Sequence, residues 1–182
     1  EDELVGMAWA DLSTGRFFAA SFPRSQLMDQ FARIGPSECL LQEDDEELLA
    51  MLGGTAMLTR RPAWSFALDD ARRTLAGQFG TSSLEGMGFA DEDGDRAAIR
   101  AAGGVLQYLQ ETQGGSLDHF QTLVPYCQGE TVEIDGATWR SLEITRTMRD
   151  GRRDGSLLSV MDHTVTAMGS RLLSDWLANP LT

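Results

Sequence analysis

The spacing of apolar residues between positions 4 and 113 predicts alternating strands and helices. Apolar residues stand at both parities from Leu4 to Leu12, which is typical of a strand buried on both faces in the middle of a sheet. The segment from Asp11 to Gly15 combines side chains that bond backbone N–H groups with a glycine, so it predicts a hairpin turn. Arg16 to Phe22 is then the returning strand, and Pro23 closes it.

The other elements of this part follow from helical periods, helix-stop glycines and short β-prone runs. In chain order they are a helix from a Ser25 cap to Ile34, a strand from Glu38 to Gln42, a helix opened by the acidic run from Glu43 to Glu47, a strand from Thr55 to Thr59, an extended segment from Trp64 to Phe66, a helix capped by Asp69 that ends at Phe79, and a long helix from Asp95 to Gln113 that Gly114-Gly115 ends. Gly103-Gly104 lowers the helix propensity of the long helix, so we expect a neighbouring element to approach closely there. This order predicts an α/β fold with a central mixed sheet.

Two short helices are predicted near the end of the chain. The first runs from Ser156 to Asp162, and the second opens at Thr164 or Thr166 and ends before Asn179-Pro180. Apolar residues recur at helical spacing in the second helix: Val165, Met168, Leu172, Leu173, Trp176 and Leu177. A stripe this heavy needs a large surface to pack against. We therefore expect a piece of a longer protein. In the isolated piece, we expect this stripe to be either a site of self-association or the most mobile segment.

The charge of the chain is negative and unevenly distributed. Its formal net charge is −13, and residues 1–135 hold 23 acidic residues against 9 arginines, a balance of −14. Residues 136–182 hold 5 acidic residues against 6 arginines. Because nucleic-acid binding depends largely on neutralising phosphates with basic side chains, the first 135 residues are predicted to be a poor DNA-binding surface. All 15 basic residues are arginines, which excludes a Walker A motif because that motif needs a lysine.

The cysteines and histidines of this chain do not have the spacing of a redox or metal site. Cys39 and Cys127 are far apart, and His119 and His163 have no metal-ligand spacing. No apolar run approaches the length of a transmembrane helix, and no signal peptide is visible. These features predict a reduced, cytoplasmic protein with no membrane partner.

Groups of residues along essentially the whole chain resemble, in colinear order, the MutS family of bacterial DNA mismatch repair proteins. In the first part they are Asp11-Leu12-Ser13-Thr14-Gly15, Arg61-Pro62-x-Trp64-x-Phe66, Phe79-Gly80, Ala101-Ala102-Gly103 and Thr112-Gln113. In the last part they are Asp135-Gly136-Ala137-Thr138, Leu142-Glu143-Ile144, Ser156-Leu157-Leu158, Val160-Met161-Asp162, Thr164-Val165-Thr166, Arg171-Leu172-Leu173 and Trp176-Leu177.

The resemblance implies a fold and a boundary for two domains. Residues 4–126 are expected to form the family's connector domain, with a ribonuclease H-like mixed sheet flanked by helices. Residues 127–182 are expected to begin the family's all-α core or lever domain. The family's mismatch-reading domain would lie before Glu1, and its clamp, the rest of its lever and its ATPase would lie after Thr182.

The resemblance also implies a mechanical, non-catalytic function. A connector of this family couples mismatch recognition to the ATPase and clamp state, and it offers a surface to the partner protein MutL. The full protein is expected to bind mismatched DNA through segments outside this chain, to form a homodimer, and to hydrolyse ATP with Mg. No catalytic, cofactor-binding or metal-binding residue is expected in this chain.

One surface and two alternative functions remain open at this point. The outward face of the helix from Asp69 to Phe79, with Arg72, Arg73 and Gln78, is the predicted partner surface, and a plain solvated face is the alternative. A metal-dependent nuclease on the same fold would use Asp11 on the first strand, with Glu38, Glu43 or Asp69 beside it. Each of these four carboxylates also has an ordinary structural explanation: Asp11 caps the turn, Glu38 begins a strand, Glu43 is a solvated charge and Asp69 caps a helix. A shared fold also does not imply a shared function. A stand-alone acidic interaction module is the third possibility.

Overall fold

The computed structural model describes residues 3–90, 93–114, 116–127, 132 and 134–180. The described residues pack as two compact units. The first unit consists of residues 1–27 and 35–126, and the second consists of residues 28–34 and 127–182. The predicted helix stop at Gly115, and the chain end at Leu181-Thr182, lie outside the described residues.

Five strands form two small sheets among the described residues of the first unit. They are β1 (Leu4–Asp11), β2 (Arg16–Pro23), β3 (Glu38–Gln42), β4 (Met57–Arg61) and β5 (Val124–Pro125). One sheet has the order β1-β2-β5, with β1 antiparallel and β5 parallel to β2. The other sheet pairs β3 with β4 in parallel. The mixed α/β class is confirmed, with its strands divided between two sheets rather than gathered in one.

Strand β1 lies at the edge of its described sheet, so the prediction of a central strand is wrong. Its apolar residues of both parities are accounted for by cover on both faces. On one face Ala8 and Ala10 pack against the core. On the other face Trp9 stacks on Phe18, with ring centroids 5.6 Å apart. The apolar pattern therefore indicates that both faces of β1 are covered. It does not indicate how many strands pair with β1.

The hairpin turn is built as the sequence predicts. Asp11 Oδ1 accepts hydrogen bonds from Ser13 N (2.8 Å) and Ser13 Oγ (2.5 Å). Gly15 N donates to Asp11 O (2.9 Å), and Gly15 has φ 71°. A residue with a side chain would be strained at this φ, which is why glycine suits the position.

Among the described residues of the first unit there are three α-helices: α2 (Glu46–Leu52), α3 (Leu68–Phe79) and α4 (Asp93–Thr112). Asp45 caps α2 by accepting from Leu48 N at 3.0 Å. Helix α3 starts at Leu68 after an extended Ala67, so Asp69 lies in its first turn and is not the predicted cap. Ala63–Phe66 is a 3₁₀ helix and not the predicted extended segment, because Ala67 N bonds to Trp64 O (3.0 Å).

The close approach predicted at Gly103-Gly104 is confirmed. A Cβ added to Gly103 would lie 2.2 Å from Ala71 Cβ and 2.5 Å from Ala71 Cα, so α4 runs against the backbone of α3. A Cβ at Gly104 would lie 2.5 Å from the Phe66 ring. The first unit therefore has a core in which α3 and α4 lie nearly backbone to backbone.

The second unit is helical among its described residues. Its helices are α1, which starts at Leu27 of the first unit and spans Leu27–Ile34, α5 (Gly136–Ser141), α6 (Leu157–Met161) and α7 (Ala167–Ala178). Ser25 lies in a 3₁₀ turn (Arg24–Gln26) before α1 and is not the predicted cap. Asp29 accepts from Gly136 N at 2.9 Å. Among the described residues, no helix is long and apolar enough to cross a membrane.

Candidate functional site

The outer face of α3 carries the predicted partner residues in three different environments. Arg73 is exposed and its Nη1 lies 2.9 Å from Asp70 Oδ1 in an ion pair. Arg72 is half-buried and lines a small cavity. The Gln78 side chain donates to Leu117 O at 3.0 Å, so its amide ties α3 to the loop that follows α4. Arg73 is thus at the surface in a local ion pair, Arg72 is partly exposed, and the Gln78 amide has a structural contact of its own.

The cavity beside Arg72 has a volume of about 190 Å³. Its buried apolar lining comes from Leu84, Phe89 and Ile99. Ser82, Ser83 and Glu85 add polar atoms next to Arg72. A space of this size suits one apolar side chain with polar neighbours at its edge. The sequence did not reveal it, because the lining joins α3, α4 and the loop between them.

The predicted apolar stripe of α7 is largely exposed. We call Val160, Val165, Met168, Leu172 and Trp176 the apolar face. Their exposed fractions run from 38% for Leu172, through 56% for Met168, to 63% for Trp176, 68% for Val160 and 99% for Val165. Leu173 and Leu177, the other two members of the predicted stripe, are half-buried. Five exposed large apolar side chains within 17 residues of sequence favour an interaction surface.

A carboxylate fixes the connection between α6 and α7. Asp162 Oδ1 accepts from Thr164 N (3.1 Å) and Thr164 Oγ1 (2.6 Å). Its Oδ2 accepts from Ser170 Oγ and pairs with the Arg153 guanidinium. These bonds, that of Ser170 first, hold the pKa of Asp162 well below its ordinary value of 3.8. Because this network holds the two helices together, the apolar face is a defined surface.

Two of the four carboxylates of the nuclease alternative, Asp11 and Glu38, have local structural roles. Burial works to raise the pKa of Asp11, but hydrogen bonds from Ser13 and Thr14 lower it below its ordinary value, so it caps the turn as a carboxylate. Glu38 Oε1 accepts from Thr59 Oγ1 and Tyr108 OH, each at 2.6 Å. In the part of the chain that the structure describes, no group of three or more His, Cys, Asp or Glu residues is placed to hold a metal ion. Nothing in this arrangement supports metal-dependent cleavage.

Cys39 is not arranged as a nucleophile. Cys39 lies on β3, and burial, together with the nearby Glu38 charge, raises its pKa to about 11. A thiol with so high a pKa stays protonated near neutral pH, where the thiolate is the reactive form. Cys127 is exposed and unbridged.

Comparison with known proteins gives matches over both units. The family model for MutS domain II matches residues 1–121, and the model for MutS domain III matches residues 137–182. The DNA mismatch repair protein MutS of Rhodopirellula baltica is 55% identical over 179 residues, which are 98% of this chain. The chain spans only 20% of the length of that relative.

Proposed function

This chain belongs to the MutS family, and from that premise we propose that it is the connector segment of a DNA mismatch repair protein. In this proposal the segment is non-catalytic. It couples mismatch recognition elsewhere in the protein to an ATPase and clamp state, and it offers a surface to MutL. The colinear match of domains II and III over residues 1–121 and 137–182 carries the proposal.

The architecture is consistent with a mechanical role. At Gly103 the backbone of α4 packs directly on the Ala71 methyl group and backbone of α3, which favours a stiff first unit that moves as a body. Interior close packing transmits displacement, whereas a loosely packed unit would absorb it. For the whole protein, we further propose that it binds mismatched DNA, uses ATP with Mg, forms a dimer with a second copy and is located in the cytoplasm.

The MutL surface is proposed to be the outer face of α3, with Arg72, Arg73 and the cavity beside Arg72. The arginines supply charge for an acidic partner surface, and the cavity accepts one apolar side chain. Such a pair of features matches the usual anatomy of an interface, in which an apolar anchor fills a pocket beside polar groups. Gln78 supports this surface from within by holding the loop at Leu117.

Charge reversal on α3 tests this assignment. We expect Arg72→Glu with Arg73→Glu to weaken MutL binding by the intact protein at least tenfold, measured by biolayer interferometry with ATP and mismatched DNA present. Arg60→Glu is the matched control, because Arg60 is exposed on β4 in the same unit. If the α3 variant binds MutL as well as the control does, the surface is elsewhere.

The apolar face is proposed to be covered in the intact protein by further helical segments of its own core domain. In the isolated chain it would be free to pair with a second copy, with Val165, Met168, Leu172, Leu173, Trp176 and Leu177 as the self-association residues. Burying one large apolar side chain stabilises by roughly 1.5–3 kcal/mol, so leaving several in water favours such pairing.

A further inference from the structure

An arginine-rich loop of the second unit has no part in the function proposed above. We call residues 145–155 the arginine loop; its base is closed by backbone hydrogen bonds from Leu157 N to Glu143 O (3.0 Å) and from Leu158 N to Ile144 O (2.8 Å). The loop holds four arginines against two aspartates. The arginines are Arg146, Arg149, Arg152 and Arg153. In a chain of net charge −13, this is a local reversal of sign.

The tip of the arginine loop is held in one conformation by its own hydrogen bonds. Thr147 N donates to Arg152 O (2.8 Å), and Gly151 N donates to Thr147 O (3.0 Å). Gly151 has φ 65°, which a glycine adopts without strain. The Thr147 hydroxyl also donates to Asp150. An ordered loop loses less conformational entropy on binding than a flexible one.

Three of the carboxylates in and around the loop are already engaged, whereas Asp154 is exposed. Asp150 accepts from Thr147 and lies 3.6 Å from Arg152 Nε, and Asp162 pairs with Arg153. Glu143 Oε1 accepts from the backbone N of residue 148 at 2.6 Å. The other two arginines of the loop are Arg146 and Arg149.

Arg146 and Arg149 stand on either side of Thr147 and are both exposed. Within the described part of the chain, no acidic side chain pairs with either of them. Two uncommitted guanidinium groups on an ordered loop are the chemistry that binds phosphate, since the planar fork of donors matches phosphate oxygens in a bidentate manner.

We propose that Arg146 and Arg149 bind the phosphate backbone of duplex DNA. This inference rests on the proposed function, which supplies DNA as the polyanion. The first 135 residues carry a balance of −14 and repel a phosphate backbone, so the loop is where DNA approaches this chain. Two such contacts are too few to hold DNA against the net charge, but they add to contacts made elsewhere in an intact protein.

The test is the salt dependence of duplex binding by the intact gene product. Parental protein, Arg146→Ala/Arg149→Ala and the control Arg60→Ala are titrated with matched and mismatched duplexes by fluorescence anisotropy at several salt concentrations. Each lost phosphate contact lowers the slope of log affinity against log salt by about 0.9. We expect the double variant to lower the slope by about 1–2, with an equal loss of affinity on both duplexes because phosphate contacts carry no sequence information.

Each other outcome has a separate meaning. A parental protein that does not bind duplex DNA refutes the proposed function itself. A parental protein that binds, with a slope that the double variant leaves equal to that of Arg60→Ala, overturns the loop inference alone. A double variant that changes sedimentation of the protein without changing the salt slope also overturns it, because the arginines then bind an acidic surface of a second copy. Equal thermal midpoints of all three proteins exclude unfolding as the cause.

Discussion

Replacing Gly103 by alanine tests whether α3 and α4 lie as close together as described. The added Cβ would stand 2.2 Å from Ala71 Cβ and 2.5 Å from Ala71 Cα, whereas carbon atoms in favourable contact are roughly 3.5–4.0 Å apart. Because Ala71 presents a methyl group and backbone, no flexible side chain can move aside. One of the two helices must therefore shift by more than about 1 Å at this point.

The expected magnitude comes from two opposing terms. Overpacking a close-packed core costs about 1–3 kcal/mol, and a clash with backbone belongs at the upper end of that range. Alanine in place of glycine gains about 1 kcal/mol of helix propensity. We therefore expect Gly103→Ala to lower the free energy of unfolding by about 2 kcal/mol.

Gly77→Ala is the matched control, since a Cβ at Gly77 in α3 would meet nothing within 4 Å. It gains the same propensity without the clash, so it is expected to stabilise by up to about 1 kcal/mol. The two variants should differ by about 3 kcal/mol in urea unfolding followed by circular dichroism at a helical wavelength. If Gly103→Ala is as stable as Gly77→Ala, the helices are further apart than the structure has them, and the reasoning fails.

Three further predictions concern the charge and the surface of the chain. Asp162→Asn should destabilise the chain at neutral pH, and the loss of stability relative to the parental chain should shrink as the pH falls below about 4. The lowered pKa of Asp162 makes its ionised form stabilising above 3.8, and that stabilisation is lost on protonation. Thermal midpoints at a series of pH values, with Asp154→Asn as control, check this, and a pH-independent loss of stability would contradict it. Leu172→Glu with Trp176→Glu should weaken self-association of the isolated chain about a hundredfold or more, as measured by sedimentation velocity. Met57→Glu should not weaken it, since Met57 is an apolar residue of the first unit that is about as exposed as Trp176. A parental chain that is monomeric at high concentration would refute this prediction. The isolated chain should not bind duplex DNA at physiological salt because of the −14 balance over residues 1–135, and a specific, salt-sensitive mobility shift of a mismatched oligonucleotide would refute this.

Features that depend on local chemistry could be predicted from the sequence. The turn at Asp11–Gly15 needs only a short side chain, a hydroxyl and a glycine, all within five positions. The start of α7 is similar, since Thr166 accepts from Gly169 N at 3.1 Å. Gly103 was predictable as a close approach because glycine inside a helix is otherwise unfavourable.

Features that depend on distant pairing could not be predicted in the same way. Strand β1 pairs only with β2 in the described sheet, and the third strand, β5 (Val124–Pro125), pairs with β2 instead. With two residues, β5 is too short to show an apolar period. Helix α5 was not predicted, although Asp135 caps it by accepting from Ala137 N and Thr138 N, each at 3.0 Å, which is a local signal that the sequence contains. The cavity beside Arg72 and the engaged amide of Gln78 depend on segments tens of residues away.

Helix α1 packs with a segment that is encoded far from it in the gene. Met28–Ile34 is grouped with residues 127–182, and Asp29 reaches Gly136 across 107 positions of sequence. A Cβ at Gly136 would lie 3.2 Å from Asp29 Oδ1 and 3.5 Å from Ala32 Cβ, so a larger residue there requires a change in α1. Recombination that brought in residues 127–182 from a divergent gene would therefore place a different residue 136 against an unchanged α1. We expect the two segments to be inherited as a pair, although the whole of the first unit after α1 is encoded between them.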